Sequence, residues 1–254
     1  MISFVELIAS NKTKAWRRIY AKAARKVFAR KKTRHYEPSL IYAPDEFGPN
    51  DFLIDLASKA AGMAWLVPID DVNPSLNDGV YCNIYPGEHY RLLKALAKIL
   101  DPQVIVEVGT YTGMGARALM QGQSKGVVYT YDILPWDFFE SHLVQKDFDD
   151  KKMIQKLADL SNEDEFDRHL DLLNEAQIIF VDAPKDGQFE YQFLPLLKKL
   201  KPKENRLLIL DDIRFVNMAD LWISIQSPKL DISSFGHWSG TGLIDISQPL
   251  KLAE

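Results

Sequence analysis

The chain has a single cysteine, Cys82, which excludes an intramolecular disulfide and any cysteine-rich zinc site and fits a reducing compartment. No apolar run approaches the ~20 residues needed to span a bilayer. The opening stretch, Met1 to Ser10, lacks a positively charged region ahead of its apolar residues, so secretion is not expected and a cytoplasmic location is. The five histidines, at 35, 89, 142, 169 and 237, show no H-x-x-x-H or other ligand spacing, so most read as surface or packing residues. Internal repeats and low-complexity tracts are also missing.

Acid is missing from one segment. Eleven lysines and arginines between Lys12 and Arg34 are interrupted by no carboxylate, although the whole chain carries a net charge of −4. Trp16, Ile19, Tyr20, Ala23, Ala24, Val27 and Phe28 recur there at intervals of three and four, which predicts a helix with one apolar stripe flanked by cations. Such a stripe can pack on its own domain or make a homodimer, lie on an anionic membrane surface through residues 12–34, or meet nucleic acid phosphates, in that order of expectation.

With 254 residues, 46% hydrophobic and 26% charged, the chain can bury one good core plus an extension. Residues 1–80 read as an N-terminal helical extension and 81–254 as the main domain. After a loop over His35 to Asn50, with three prolines and a glycine, a helix is expected at Asp51 to Met63. An irregular crossing over Pro68 to Gly87 leads to a helix at Glu88 to Leu100. Strands are expected at Val104 to Val108, Val127 to Tyr131, Met153 to Leu157, Ile178 to Asp182 and Leu207 to Asp211, mostly separated by helical patterns. That alternation predicts an α/β fold, a mostly parallel sheet with helices on both faces. Asp231 to Trp238 and Gly242 to Ile246 read as a closing hairpin.

Val104 to Ala116, V-I-V-E-V-G-T-Y-T-G-M-G-A, is the most informative stretch: a β-branched run ends at Glu107-Val108 and breaks into glycines. Dinucleotide binders place a pyrophosphate on G-x-G-x-x-G, where the second glycine makes room for it. Here Tyr111 occupies that place, and Glu107 repels phosphate while attracting a cation or hydroxyls. S-Adenosylmethionine, which has no bridging phosphate, satisfies both conditions. Glu107, Gly109, Thr110, Tyr111, Thr112 and Gly113 are therefore candidate cofactor contacts, and Asp182, at the end of the fourth strand, is a further one.

In open α/β sheets, ligands sit beyond the carboxyl ends of the strands. Asp132 follows the second strand, where it can accept from ribose hydroxyls. Asp159 follows the third, placed to meet an adenine amino group, with Trp136 near enough to stack on the ring. Asp182 follows the fourth strand and Asp211-Asp212 the fifth. Three converging carboxylates repel one another unless a hard divalent ion such as Mg²⁺ joins them. Lys185, three residues past Asp182, could take a proton from a substrate hydroxyl. His89, at the start of a helix, and His237 with Trp238, at the end of a late strand, could line the acceptor pocket.

E-V-G-T-Y-T-G resembles the first motif of class I S-adenosylmethionine-dependent methyltransferases, in the form of their catechol and caffeoyl-CoA O-methyltransferase branch. Asp182, Lys185 and Asp186 are similar to that branch's Asp-x-x-Lys-Asp, and Asp211 to the first half of its Asp-Asn; Asp212 departs from it by putting a carboxylate in place of an amide. The resemblance covers roughly Gly87 to Ile246. It implies a Rossmann-like, seven-stranded methyltransferase sheet and metal-dependent transfer of a methyl group to a hydroxyl of a small molecule or sugar. Nucleic-acid amino methyltransferases are a poorer match, because Asp182-Ala183-Pro184-Lys185 lacks their second proline and aromatic residue. The RNA cytosine-C5 enzymes place a cysteine where Lys185 stands. A methyltransferase-like fold serving as a non-catalytic binding module is the remaining alternative.

Overall fold

The computed structural model describes residues 47–72, 86–184, 188–215 and 217–253. The described residues all belong to one compact unit. The basic stripe of 12–34 lies outside the described residues, as do Cys82, Lys185 and Asp186. Among the described residues no helix is long and apolar enough to cross a membrane.

Two helices, α1 (Asp51–Ala64) and α2 (His89–Leu100), precede the sheet. Asn50 begins α1 by accepting from the Leu53 N–H at 3.1 Å, and its amide donates to Asp245 at 2.6 Å, which ties the helix start to the far end of the sheet. The rest alternates as β1 (Val104–Val108), α3 (Met114–Gly122), β2 (Val127–Asp132), α4 (Gln145–Asp149), β3 (Met153–Leu157), α5 (Glu163–Arg168), α6 (Leu170–Glu175), β4 (Ile178–Val181), α7 (Phe189–Leu196), β5 (Leu207–Asp211), α8 (Met218–Ser224), β6 (Lys229–Asp231) and β7 (Thr241–Asp245).

The strands form one seven-stranded sheet in the order β3-β2-β1-β4-β5-β7-β6. Strands β1 to β5 pair in parallel, whereas β7 runs antiparallel to both β5 and β6. This is the Rossmann-like, seven-stranded sheet that the resemblance of the glycine motif implies. The central strands β4 and β5 are buried at every residue, as continuous apolar runs covered on both faces require. One core lies between the sheet and α1, α2 and α3; the other forms under α5 to α8. The winding reverses between β1 and β4, so the crevice beyond their carboxyl ends is where this topology leaves room for a ligand.

One strand is shorter than its pattern predicts. The expected run Asp231 to Trp238 shares only Asp231 with the observed strand, Lys229–Asp231. Asp231 then accepts from the Ser233 N–H at 2.9 Å and its hydroxyl at 2.5 Å, and Phe235 N–H donates to Ile232 carbonyl at 2.8 Å. These local bonds give the backbone an alternative to the ladder, and 232–240 becomes a turn-rich loop.

Candidate active site

The glycine turn is organised by one carboxylate. Asp132 Oδ2 accepts from the Thr110 and Tyr111 N–H groups at 3.0 and 3.1 Å, and Oδ1 accepts from Leu134 N–H at 3.0 Å. Tyr111 is thereby held at φ 42°, in the left-handed region. Gly109 has φ 102°, and a Cβ there would lie 2.1 Å from the Asp182 carbonyl oxygen, so the turn rests directly on the end of β4. Gly113, at φ 79°, starts α3 beneath the Leu143 side chain.

Below the turn, Thr130 Oγ1 donates to Glu107 at 2.5 Å and meets Thr110 Oγ1 at 2.7 Å. Glu107 is buried under the turn and stands outside the lining of the neighbouring cavity. Burial holds its carboxyl well above the usual carboxylate range; the charges of Asp182 and Asp132 add to this, against the bonds from Thr130 and the Ala116 N–H. The native chain therefore keeps a proton that the unfolded chain releases near pH ~4.3. Stability from this group is full below that pH and is lost as pH rises through the raised native value. Glu107→Gln is expected to lose less melting temperature than the parent between about pH 5 and pH 8, measured by thermal unfolding across that window. A parallel decline in both proteins would show that Glu107 is charged in the folded state.

The crevice beyond β1 and β4 is a cavity of about 780 Å³, within the usual range for small-molecule sites. Gly109, Tyr111, Asp132 and Asp159 line it together with Asp182 and Asp212. Asp159 Oδ1 also accepts from the Ser161 N–H at 3.0 Å and its hydroxyl at 2.7 Å. Thr110, Thr112 and Gly113 shape the turn without lining the cavity. Trp136 does not line it either: its ring packs against Phe148, centroids 5.1 Å apart, beside the core under α3. Burial on a neighbouring ring wins over exposure at the cavity mouth. The apolar walls come instead from Ile133, Phe139 and Phe189. Ile133, directly after Asp132, is 69% exposed, a position that following the chain one residue past the acid would have picked out.

At the other end of the cavity one oxygen each of Asp182, Asp211 and Asp212 lie within 4.8 Å of one another. Asp212 has φ 59°, a left-handed conformation that aspartate tolerates better than most residues and that is often kept where function needs it. Ligand distances of about 2.1 Å for Mg²⁺ and about 2.4 Å for Ca²⁺ put opposing oxygens about 4–5 Å apart, so the donor set fits a hard divalent cation.

Asp211 is buried and meets His237 Nε2 at 2.5 Å; His237 Nδ1 meets Ser239 Oγ at 2.5 Å and stands 3.8 Å from Asp212. Burial alone lowers the imidazole pKa, but the Asp211 hydrogen bond and the charges of Asp211, Asp212 and Asp182 outweigh it and raise the value. The His89 ring packs edge-on against His237 with centroids 4.6 Å apart, its Nδ1 being 3.4 Å from Thr241 Oγ1. Both histidines are buried and neither lines the cavity, contrary to the acceptor-pocket expectation. Trp238 is 63% exposed and stands edge-on to Phe215 at 5.7 Å, and Phe215 does line the cavity. The sequence could not pair Asp211 with His237, because the loop that joins them has no periodic signal.

No family model matches the chain, and no curated protein does. Among solved structures it is similar to an O-methyltransferase from Bacillus cereus in complex with SAH, at 19% identity over 79% of this chain and 93% of that one, TM-score 0.40. A methyltransferase from Geobacter sulfurreducens shares 15% identity over 76% of this chain and 96% of that one, TM-score 0.46. The MycE methyltransferase of mycinamycin biosynthesis, in complex with Mg, SAH and mycinamycin VI, shares 16% identity over 46% of this chain, TM-score 0.36. The chain spans 30% of the length of that MycE structure. At these identities and TM-scores the likeness carries no argument, and the functional reading rests on the site.

Proposed function

We propose that the protein is an S-adenosylmethionine-dependent O-methyltransferase that acts on a hydroxyl of a small molecule or sugar and uses a divalent cation, Mg²⁺ by donor chemistry. One observation carries this reading: the carboxylate that organises the glycine turn, Asp132, and the acidic group of Asp182 and Asp212 line the same cavity. The turn end presents a carboxylate, with the Thr110 and Tyr111 N–H groups already given to it, and no phosphate cradle, and the other end offers ligands for a hard cation.

In this reading Asp132 accepts from the ribose hydroxyls through the lone pairs that the turn leaves unused. Ile133, Phe139 and Phe189 enclose the apolar parts of the cofactor and exclude water. Asp182, Asp211 and Asp212 would hold the cation, which supplies Lewis acidity that lowers the pKa of the acceptor hydroxyl. Lys185 is assigned the role of base on its spacing from Asp182. The acceptor oxygen then forms its bond to the methyl carbon as the carbon–sulfur bond breaks, the electron pair remaining on sulfur and the hydroxyl proton passing to Lys185. The charged cofactor leaves as a neutral thioether.

Calorimetric titration with S-adenosylmethionine and with S-adenosylhomocysteine, each with and without Mg²⁺, tests the first half of the proposal. Micromolar binding is expected; none under any condition would favour a non-catalytic binding module. Asp182→Ala is expected to weaken Mn²⁺ binding at least ~10-fold, read by electron paramagnetic resonance of the free ion, since it removes one of three anionic ligands. Unchanged Mn²⁺ affinity would take the cation out of the mechanism.

A further inference from the structure

We propose that His89, Asp211 and His237 form a second, nitrogen-rich cation site, suited to Zn²⁺ or a transition ion of similar softness, which shares Asp211 with the oxygen-only group. One donor atom of each residue lies within 4.8 Å of the others, and the three residues are 4%, 3% and 8% exposed. Two imidazoles and a carboxylate are a ligand set for zinc, iron, cobalt or nickel, whereas magnesium selects oxygen alone.

The three residues come from distant parts of the chain and are brought together by backbone contacts. His89 is the first residue of α2, Asp211 the last of β5, and His237 sits in the loop before β7. Glu88 N–H donates to Phe235 carbonyl at 2.9 Å, and Pro86 bridges to His237. Gly87 lets the two loops meet, because a Cβ there would lie 2.4 Å from the Phe235 carbonyl carbon.

Behind each ring stands a hydroxyl: Ser239 Oγ at 2.5 Å from His237 Nδ1, and Thr241 Oγ1 at 3.4 Å from His89 Nδ1. A hydroxyl that accepts from Nδ1–H fixes the tautomer and turns the Nε2 lone pair inward, the usual arrangement behind a metal-bound histidine. His237 Nε2 stands 2.5 Å from Asp211 Oδ1, a hydrogen bond whose proton a metal ion would displace on binding. Ligands on a tetrahedral zinc are roughly 3.3 Å apart, so the contact has to open by less than about 1 Å. Asp212, which lines the cavity and stands 3.8 Å from His237, marks the way in. A carboxylate can bridge two ions about 3.5–4 Å apart, which is what sharing Asp211 asks of it.

The test uses the full chain, stripped by chelation and titrated with Co²⁺, and needs neither cofactor nor acceptor. One equivalent is expected to give the intense visible band of four- or five-coordinate cobalt, displaced by Zn²⁺. Asp182→Ala, which removes a ligand from the oxygen group and none from this site, should keep the band, while His89→Ala and His237→Gln should each weaken Co²⁺ binding at least ~100-fold. No band in the parent, or a band undiminished in both histidine variants, overturns the proposal. Should those variants not fold, X-ray absorption of the zinc-loaded parent decides: imidazole scattering from two histidines is expected, and an oxygen-only shell overturns it. No Mn²⁺ binding by the parent chain, with the cobalt band present, would sink the magnesium reading and leave this site standing.

Discussion

Gly109→Ala is expected to abolish S-adenosylmethionine binding and to lower the melting temperature by about 10 °C. Two costs add at this position. The backbone has φ 102°, where any side chain is strained by roughly 1–2 kcal/mol. The new Cβ would also meet the Asp182 carbonyl oxygen at 2.1 Å and its carbon at 2.7 Å. These are backbone atoms of β4's end, which is anchored by the Asp182 N–H to Val108 carbonyl bond of 2.9 Å, so no side chain can swing aside. Overpacking of this kind costs about 1–3 kcal/mol more. At roughly 2–4 °C per kcal/mol for a domain of this size, the sum gives the expected shift. Relief requires the turn to lift away from β4, which takes the Thr110 and Tyr111 N–H groups off Asp132 and deforms the cavity wall. Gly62→Ala is the matched control: in α1 a Cβ at position 62 meets nothing within 4 Å, so the change should be neutral or stabilising by up to ~1 kcal/mol. The pair is read by thermal unfolding and calorimetry, and parent-like cofactor affinity in Gly109→Ala would refute the placement of the cofactor against this turn.

Gly109 was legible in the sequence because a β-branched run that breaks into glycine has few physical explanations. The five parallel strands were legible for a similar reason: buried strands are continuous apolar runs, and acids just past their ends announce themselves by contrast. The β/α alternation announced a mostly parallel sheet but not the order of its strands. What the pattern could not convey is which way a side chain turns once it leaves a strand. Trp136 and Ile133 are three residues apart after β2, yet the tryptophan turns to Phe148 while the isoleucine faces the cavity, a choice made by α4 packing from elsewhere in the chain. The loop 232–240 misled for another reason: its apolar residues imitate a strand, and the Asp231–Ser233 bonds that end the ladder are side-chain geometry. His237 shows both limits at once. It carries no motif, its neighbours in sequence say nothing of Asp211, and only the closure of Gly87 onto Phe235 brings it against His89.

Asp132→Ala is expected to weaken S-adenosylmethionine binding by roughly 10²–10⁴-fold, from the loss of two charge-assisted hydrogen bonds worth about 1.5–3 kcal/mol each. The carboxylate has two separable duties. It holds the turn through Thr110 and Tyr111, and it presents acceptor capacity to the cavity that it lines. A variant defective only in the first duty would bind every ligand poorly, whatever sugar the ligand carries. A variant defective in the second loses discrimination between ribose and its deoxy analogues. Comparing S-adenosylhomocysteine with its 2′-deoxy and 3′-deoxy forms on both proteins closes a cycle that isolates the coupling between Asp132 and each hydroxyl. For the parent, removing a contacted hydroxyl should cost at least ~10-fold in affinity, and for Asp132→Ala nearly nothing. Asp132→Asn should fall between, because the amide still accepts through one oxygen but carries no charge and offers N–H donors where Oδ2 met two N–H groups. Equal penalties for the deoxy ligands on parent and variant would confine Asp132 to holding the turn and move ribose recognition to another residue of the cavity wall.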